Sequence, residues 1–276
     1  MSKTLILGST GNIGSKLGEI LKSKGQKVSL ATSKNNLGEE QVHLNLVTRQ
    51  GLEKAFEGID KAFLLSPPGY TNQDELMSPV IDLSKKYNLK KVVFMTAMGA
   101  DADPESPMRK AELYLEKSGI NYNIIRPNWF MQNFNTFWLQ GILNAQKIFL
   151  PVGNAKGSFI DSRDIASVAA ELLLNDKWNN QAFNLTGKDV LDHNEVASIL
   201  SKATGKNITY EEISPEAMRE GLLSAGIPSD YTEFLLVILN YFKLGYAQTV
   251  TDSVKEIIGK EPISFNQYAE DYKSFW

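Results

Sequence analysis

The feature that most constrains the fold is a glycine-rich turn near the start of the chain, Gly8-Ser9-Thr10-Gly11-Asn12-Ile13-Gly14. The short apolar run Thr4–Leu7 before it predicts a β-strand, and the apolar residues after it recur at helical spacing until Gly25. A second apolar run follows at Lys27–Thr32. A strand, a glycine turn, a helix and a second strand in this order are typical of a βαβ unit that binds a dinucleotide.

Each glycine of this turn has a physical task in such a unit. Gly8 allows a tight exit from the strand, Gly11 leaves space for a pyrophosphate beside the backbone, and Gly14 allows close packing of the helix. The backbone amides of Asn12 and Ile13 then point at the phosphates, with the positive end of the helix dipole behind them. The predicted phosphate-binding residues are Gly8, Thr10, Gly11, Asn12, Ile13 and Gly14.

The end of the second strand bears on the choice of cofactor. An NAD site usually has an acidic residue about twenty positions after the glycines, where it binds the ribose hydroxyls. Here Thr32, Ser33 and Lys34 occupy this region, and the first carboxylate is Glu39. Two hydroxyls and an ammonium group suit a 2′-phosphate, so the sequence favours NADP(H) over NAD(H). The alternative interpretation is that Lys34 is an ordinary solvated lysine with no role in cofactor binding.

Alternating strand and helix patterns fill the first half of the chain and predict a doubly wound α/β fold, a parallel sheet with helices on both faces. Helices are predicted from the cap Thr48 to Gly58, near Glu75–Tyr87 and near Pro107–Ser118. The predicted strands are Thr4–Leu7, Lys27–Thr32, Val42–Leu46, Lys61–Ser66, Lys91–Thr96 and Tyr122–Arg126.

The pattern changes after residue 126, which predicts a Rossmann domain at residues 1–126 and a smaller, mostly helical substrate lobe at residues 127–276. Within this second half a helix is predicted from about Asp161 to Leu174 and a strand at Ala182–Leu185, so pieces of residues 155–187 are expected to rejoin the first domain. Further helix caps are predicted at Asp192, with Glu195 as its capping-box partner, and at Ser214 before Pro215.

Composition excludes several classes of function. The net charge is −3 and the sequence contains no block of basic residues that would bind nucleic acid or anionic lipid. No apolar run is long enough to span a bilayer. The absence of cysteine and the presence of only two histidines, His43 and His193, argue against thiol chemistry, a histidine triad and a metal site. We expect a cytoplasmic protein whose chemistry depends on a bound cofactor. The sequence does not decide between a monomer and a homodimer.

Several later motifs, together with the glycine turn, resemble the NmrA-like branch of the short-chain dehydrogenase/reductase superfamily over nearly the whole chain. The matching segments are Asn45-Leu46, Leu65-Ser66-Pro67-Pro68, Thr96-Ala97-Met98-Gly99, Glu112 with Lys117-Ser118-Gly119, Tyr122 to Pro127, Asn128-Trp129-Phe130-Met131-Gln132-Asn133, and Phe159 to Ala166. Within this branch, the chain resembles small bacterial NAD(P)H-dependent quinone reductases and triphenylmethane-dye reductases.

The resemblance implies roles for several of these residues. Asn45 and Leu46 would lie against the adenine, while Asp164 would be structural rather than catalytic. The segment from Asn128 to Asn133 would border the nicotinamide. The residues that would line the ribose and the nicotinamide are Ser66, Pro67, Thr96, Ala97 and Met98.

A catalytic proton donor is not evident. A tyrosine followed four residues later by a lysine usually supplies the proton in carbonyl reduction, and the one such pair, Tyr87 and Lys91, spans a predicted helix end and strand start. On the helix where the family carries this pair, Tyr114 and Lys117 have the wrong spacing. Met108 occupies the position where related reductases carry His or Lys, and methionine cannot donate a proton.

These observations favour a reductase whose substrate takes up a hydride without a proton donor on the protein, such as a quinone, an azo compound, an imine or a dye cation. Phe137 and Trp138 add to an aromatic-rich segment that suits flat substrates, although such rings also serve as core. The predicted substrate pocket comprises Met98, Met108, Asn128, Trp129, Phe130 and Phe134. The alternative is a non-catalytic NADP(H)-binding redox sensor. A third class, epimerases and dehydratases, depends on the missing Tyr/Lys pair.

Overall fold

The structure is a computed structural model that describes residues 2–276. Its main feature is a sheet of seven parallel strands in the order β3-β2-β1-β4-β5-β6-β8, and β7 and β9 form a separate two-stranded parallel sheet. The strands are β1 Lys3–Ile6, β2 Lys27–Thr32, β3 Gln41–His43, β4 Lys61–Leu65, β5 Lys91–Met95, β6 Tyr122–Pro127, β7 Lys147–Leu150, β8 Gln181–Leu185 and β9 Thr209–Glu212.

Within the described residues, α-helices connect most strands of the seven-stranded sheet, whereas β2, β3 and β4 are joined without one. These residues form the α-helices α1 Asn12–Ser23, α2 Gln73–Lys86, α3 Pro107–Glu116, α4 Leu139–Ala145, α5 Ser162–Leu174, α6 His193–Thr204, α7 Pro215–Ser224, α8 Ser229–Lys243, α9 Ser253–Ile258 and α10 Phe265–Tyr272. The predicted caps are confirmed: Asp192 and Glu195 form a capping box on α6, and Ser214 caps α7 ahead of Pro215. None of the helices within residues 2–276 combines the length and the hydrophobicity that a membrane span requires.

The chain forms two compact units. Unit 1 contains the residues up to Pro127 together with Arg163–Leu185 and Glu256–Gly259, and unit 2 contains Asn128–Ser162, Thr186–Lys255 and Lys260–Trp276. The core of unit 1 lies between the seven-stranded sheet and its helices, because strands such as β4 are buried along most of their length. The core of unit 2 is rich in aromatic rings, with Phe134, Phe159 and Phe265 all fully buried.

The predicted α/β fold is confirmed, but the prediction of a helix from Thr48 to Gly58 is wrong. This segment contains turns and only a short 3₁₀ helix at Lys54–Phe56. Arg49 and Gly51 have positive φ angles of 61° and 76°, which interrupt a right-handed helix. A Cβ atom on Gly51 would lie 2.1 Å from the carbonyl oxygen of His43, so the turn packs tightly against the end of β3.

The predicted and observed strands differ in two places. The predicted strand Val42–Leu46 is shorter and begins earlier, because β3 pairs with β2 only through Gln41, Val42 and His43. The strands β7 and β9 were not predicted. Each has four residues, and each finds its partner about sixty residues away, so no local hairpin or βαβ pattern marks them.

Candidate cofactor site

The residues expected to bind the cofactor lie at or directly after the carboxyl ends of parallel strands in unit 1. The glycine turn follows β1, Ser33 and Lys34 follow β2, Asn45 follows β3, and Ser66 follows β4. The strand order reverses between β1 and β4, where β2 lies on one side and β5 on the other. Ligands of doubly wound folds bind at such a switch point, outside the carboxyl ends of the strands.

The glycine turn has the geometry of a phosphate-binding loop. Gly8 has a φ angle of 63°, a conformation that favours glycine, and its carbonyl oxygen accepts a hydrogen bond of 3.0 Å from the amide of Gly11. A Cβ atom on Gly11 would contact nothing closer than the same carbonyl oxygen, at 3.4 Å. Gly11 therefore leaves open space beside the backbone, as the pyrophosphate of a dinucleotide needs.

Gly14 has a more specific packing role than the sequence suggested. A Cβ atom there would lie 2.3 Å from the carbonyl oxygen of Gly8 and 2.9 Å from the Cα atom of Ser9, so Gly14 is the point where α1 contacts the loop itself. The contact between α1 and the sheet is made one turn later by Gly18, whose Cβ would lie 3.3 Å from the Leu30 side chain.

The amino end of α1 is suited to an anion. Its N-cap residue is Gly11, no side chain caps it, and no acidic residue lies in its first turn. The first backbone amides of the helix and the positive end of its dipole would therefore bind a phosphate without competition from a carboxylate. This donor set and the open space beside Gly11 fit a pyridine dinucleotide.

The end of β2 is held in place by hydrogen bonds to neighbouring segments. The hydroxyl of Ser9 donates to the carbonyl oxygen of Ala31 at 2.8 Å, which joins the glycine turn to β2. Thr32 is buried, and its hydroxyl oxygen accepts from the amide of Lys34 at 3.2 Å, while Nδ1 of His43 lies 3.2 Å from the carbonyl oxygen of Lys34. Thr32 thus orders the turn, whereas Ser33 and Lys34 are exposed.

The loops after β3 and β4 differ in how their side chains are used. The side-chain oxygen of Asn45 accepts hydrogen bonds of 3.0 Å from the amides of Val47 and Thr48, so it stabilises its own turn. Leu46, Ser66 and Pro67 are half-buried.

The loop after β5 is connected to the neighbouring strand β6. The amide of Thr96 donates to the carbonyl oxygen of Ile125, and the amide of Met98 donates to the carbonyl oxygen of Pro127, both at 3.0 Å. Ala97 lies between them, and all three loop residues are half-buried. The loop from Thr96 to Met98 therefore has a defined backbone position at the carboxyl edge of the sheet.

A buried ionic network lies behind this loop. The Glu112 carboxylate accepts hydrogen bonds from the Thr96 hydroxyl at 2.6 Å, from the Arg126 guanidinium at 2.7 and 2.9 Å, and from Arg109 at 2.8 Å. Burial by itself raises the pKa of Glu112, but the hydrogen bonds from Arg126, Thr96 and Arg109 outweigh it, so the net pKa is lowered. Glu112 is ionised at neutral pH and fixes the Thr96 side chain.

The structure agrees with the absence of a Tyr/Lys pair on one helix. Tyr87 follows the last residue of α2, and Lys91 begins β5. The Lys91 ammonium is buried and donates to the carbonyl oxygen of Asn175 at 2.7 Å, and burial lowers its pKa. Tyr114 donates to Asp82 at 2.7 Å from the surface of α3. Met108 is the second residue of α3 and is half-buried.

The predicted substrate residues beyond β6 belong to unit 2. Asn128 is buried, and its side chain donates to Ser158 and to the carbonyl oxygen of Ala247, both at 2.7 Å. Phe134 is fully buried, with ring contacts to Phe159 and Phe265, so this ring is part of the core of the unit. The rings of Trp129 and Phe130 are half-buried and remain better candidates for substrate contact.

Sequence reasoning missed four contributors to this site: Ser9, Gly18, His43 and Arg126. For two of them, Gly18 and Arg126, the sequence pattern gave a partial indication of their role. Gly18 lies on the helix face that packs on the sheet, and Arg126 is a charged residue at the end of an apolar strand. The hydrogen bonds of Ser9 and His43 join segments that are distant in sequence or depend on turn geometry, so no local pattern revealed them.

Comparisons with known proteins agree with the α/β fold. The chain is 28% identical to the NAD(P)H azoreductase of Xenophilus azovorans over 96% of each chain. Its fold matches the triphenylmethane reductase of Citrobacter sp., with a TM-score of 0.82, 21% identity and coverage of 98% of this chain and 100% of that one. The NADPH-dependent quinone oxidoreductase of Escherichia coli matches with a TM-score of 0.80, 19% identity and coverage of 98% of each chain. The model of the NmrA-like family matches residues 1–269, and the chain therefore belongs to the NmrA-like family.

Proposed function

We propose that this chain is an NADP(H)-dependent reductase that transfers a hydride to a flat, conjugated acceptor. The broader class, an NAD(P)H-dependent oxidoreductase, follows from its family and from full-length relatives such as the azoreductase. The observation that carries the proposal is the cradle at the carboxyl edge of the sheet, where Gly11 leaves room for a pyrophosphate and α1 offers free amides.

Preference for NADP(H) is supported by the end of β2. Ser33 and Lys34 are exposed directly after this strand, and hydrogen bonds to Thr32 and His43 fix the backbone of Lys34. An ammonium group and a hydroxyl suit a phosphate, whereas an NAD site uses a carboxylate here. When bound, the reduced nicotinamide supplies the hydride. The loop from Thr96 to Met98 would hold the cofactor, and the Glu112 network keeps that loop in position.

Binding titrations test the cofactor preference. We expect Lys34→Gln to weaken NADPH binding about tenfold, the loss of roughly one charge-assisted hydrogen bond, while NADH binding changes little. Lys27→Gln is the matched control, because Lys27 is an exposed lysine at the opposite end of the same strand. Equal weakening of NADPH and NADH binding by Lys34→Gln would contradict a 2′-phosphate site.

The acceptor class is inferred from the missing proton donor. Met108 cannot protonate an alkoxide, and Tyr114 is engaged with Asp82. A conjugated acceptor spreads the charge that arrives with the hydride, and solvent protonates it later. Azo compounds, quinones and triphenylmethane dyes share this property, and the three similar proteins described above are named for these three classes of acceptor.

An acceptor panel tests the reaction. We expect NADPH oxidation with quinones or azo compounds and none with simple ketones, measured by the loss of nicotinamide absorbance. Turnover of ketones but not of quinones would disprove the acid-free mechanism. Tight NADPH binding without turnover of any acceptor would instead support the redox-sensor alternative.

A further inference from the structure

The helix α8 of unit 2 is apolar on its outer face as well as on its inner face. The inner face packs into the core of the unit through Leu236, Leu239 and Phe242, which are all buried. A surface helix normally places polar residues opposite its buried face. The middle of α8 instead carries Val237 and Tyr241 there, which are 51% and 53% exposed. The sequence of α8 therefore suits a helix that has a partner on its outer face.

The exposed apolar residues form a continuous row, which we call the α8 stripe. They recur at intervals of three or four positions, so they lie along one side of the helix. Tyr246 extends the row beyond the end of the helix, because its ring contacts the Tyr241 ring with the centroids 5.7 Å apart. Before Tyr246, the members of the stripe are Tyr231, Phe234, Val237, Ile238, Tyr241 and Leu244.

The exposed area of the stripe matches the apolar centre of a dimer interface. Leu244 and Tyr246 are 63% and 68% exposed, and together with Val237 and Tyr241 they expose roughly 250–450 Å² of mainly apolar surface. A stable dimer buries about 800 Å² on each partner, of which somewhat more than half is apolar. An exposed apolar patch of this size on a single chain commonly marks an interaction site.

The order of residues along the stripe is complementary to itself. Phe234 precedes Val237 by three positions, and Tyr241 follows Ile238 by three positions. Two copies of α8 that pack antiparallel about a twofold axis at the midpoint therefore place Val237 against Ile238 of the second copy. The same axis places Phe234 against Tyr241, an aromatic pair. Contacts in which one patch meets its own copy about a twofold axis are the commonest in homodimers.

The charges of α8 favour the antiparallel orientation. The acidic residues Asp230 and Glu233 lie near the start of the helix, and the basic residue Lys243 ends it. An antiparallel pair brings the acidic end of one helix to the basic end of the other, whereas a parallel pair opposes like charges. Glu233 and Lys243 already bind Arg219 and Glu212 at the surface, so these charges select the orientation and add little affinity.

We propose that the α8 stripe is the interface of a homodimer, in which the α8 helices of two copies pack antiparallel about a twofold axis between Val237 and Ile238. A second copy of the chain fits the stripe because the stripe is complementary to itself in both apolar order and charge. The inference does not depend on the proposed reductase function, since the stripe belongs to unit 2 and the glycine turn of the cofactor site belongs to unit 1.

Sedimentation velocity of the full chain between about 1 and 100 µM tests the proposal. We expect a species of twice the mass of one chain. Val237→Glu puts an unpaired charge at the centre of the interface and should raise the Kd of the dimer at least about a hundredfold. Leu143→Glu is the control, because Leu143 is 46% exposed on α4 outside the stripe, and it should keep the wild-type Kd. Circular dichroism checks that both variants remain folded.

A charge pair tests the register of the two helices. Ile238→Lys alone should also be monomeric. A mixture of the Val237→Glu and Ile238→Lys chains should associate, because the twofold axis places the introduced carboxylate opposite the introduced ammonium group and keeps the native pair at the second contact. A mixture of the two folded chains that stays monomeric overturns the antiparallel pairing.

Thiol crosslinking gives a second measurement that does not require a charge in the interface. The chain contains no cysteine, so Val237→Cys supplies a single thiol next to the proposed axis, and mild oxidation should join two copies. Asp230→Cys should not crosslink, because antiparallel packing separates the two copies of this position by about 22 Å along the helices. Crosslinking of Asp230→Cys in place of Val237→Cys would indicate a parallel pair and overturn the proposal.

Other occupants of the stripe give different results. A wild-type chain that stays monomeric at about 100 µM overturns the homodimer. Binding of that monomer to phosphatidylcholine vesicles, weakened by Val237→Glu, would then assign the stripe to a membrane surface. A dimer that Val237→Glu and Leu143→Glu weaken equally would show that the chains associate through another surface, and this result also overturns the proposal.

Discussion

Glu112 illustrates how a single residue connects the core of unit 1 to its candidate cofactor site. Its carboxylate is completely buried, yet four hydrogen bonds from Thr96, Arg109 and Arg126 compensate for its desolvation. Arg126 also pairs with Asp101 at 2.6 Å, so the network extends from the loop after β5 to the turn before α3. A buried charge with this many partners holds its neighbours in one arrangement.

Removing this charge should destabilise the protein strongly. Glu112→Gln leaves the Arg126 side chain, which is 8% exposed, without its buried counterion, and we expect a loss of about 3–5 kcal/mol in the free energy of unfolding. Urea denaturation measures this loss. Glu116→Gln is the control, because Glu116 binds the same Arg109 at 2.7 Å but is 26% exposed, and it should cost about 1 kcal/mol or less. Equal losses in the two variants would contradict a special role for the buried charge.

At the scale of elements, the glycine turn and α1 form one unit whose geometry depends on close backbone contacts. Gly14 approaches a rigid partner, the backbone of Gly8 and Ser9, whereas Gly18 approaches the flexible side chains of Leu30 and Ile6. The same substitution at these two positions of one helix should therefore have consequences of very different size.

Gly14→Ala should displace the start of α1 from the turn and weaken NADPH binding more than tenfold, because the phosphate-facing amides move with the helix. We expect a concurrent loss of about 1–3 kcal/mol in stability, as for other overpacked sites. Gly18→Ala should leave binding within about twofold and stability within about 1 kcal/mol, since the gain in helix propensity offsets the tighter contact with Leu30. Isothermal titration and thermal unfolding measure both effects, and a Gly14→Ala protein with wild-type affinity would refute the argument.

The sequence predicts those elements that arise from a local residue pattern, and it misses features that depend on contacts between distant residues. The strands β1, β2, β4, β5 and β6 follow from apolar runs and lie within one residue of the predicted bounds. The prediction of a helix after Thr48 is wrong because Arg49 and Gly51 adopt positive φ angles, and Gly51 packs against the carbonyl oxygen of His43. The Glu112 network was equally invisible, since its hydrogen bonds join residues from three separate elements.

At the scale of the whole molecule, the two units place their titratable groups differently. Unit 1 neutralises its buried charges in pairs, as at Glu112 and Arg126. Unit 2 encloses His193 among aromatic rings, including Phe159 at 5.6 Å and Tyr210 at 5.4 Å between centroids. Within the described residues neither ring nitrogen of His193 has a hydrogen-bond partner. Burial lowers the pKa of His193 from 6.5 to about 3.

His193 should make the protein sensitive to mild acid. The unfolded chain binds a proton on this histidine below about pH 6.5, whereas the folded chain resists protonation until about pH 3, so stability falls as the pH drops through this window. Between pH 7.5 and pH 5 we expect a loss of roughly 2 kcal/mol from His193 alone, at 1.36 kcal/mol per pH unit below the unfolded pKa. His193→Leu should remove this part of the pH dependence, measured by urea denaturation at each pH. Phe159→Leu, which disturbs the same core without a titratable group, should lower stability equally at both pH values. If His193→Leu keeps the wild-type slope, the buried imidazole is not the source of the acid sensitivity.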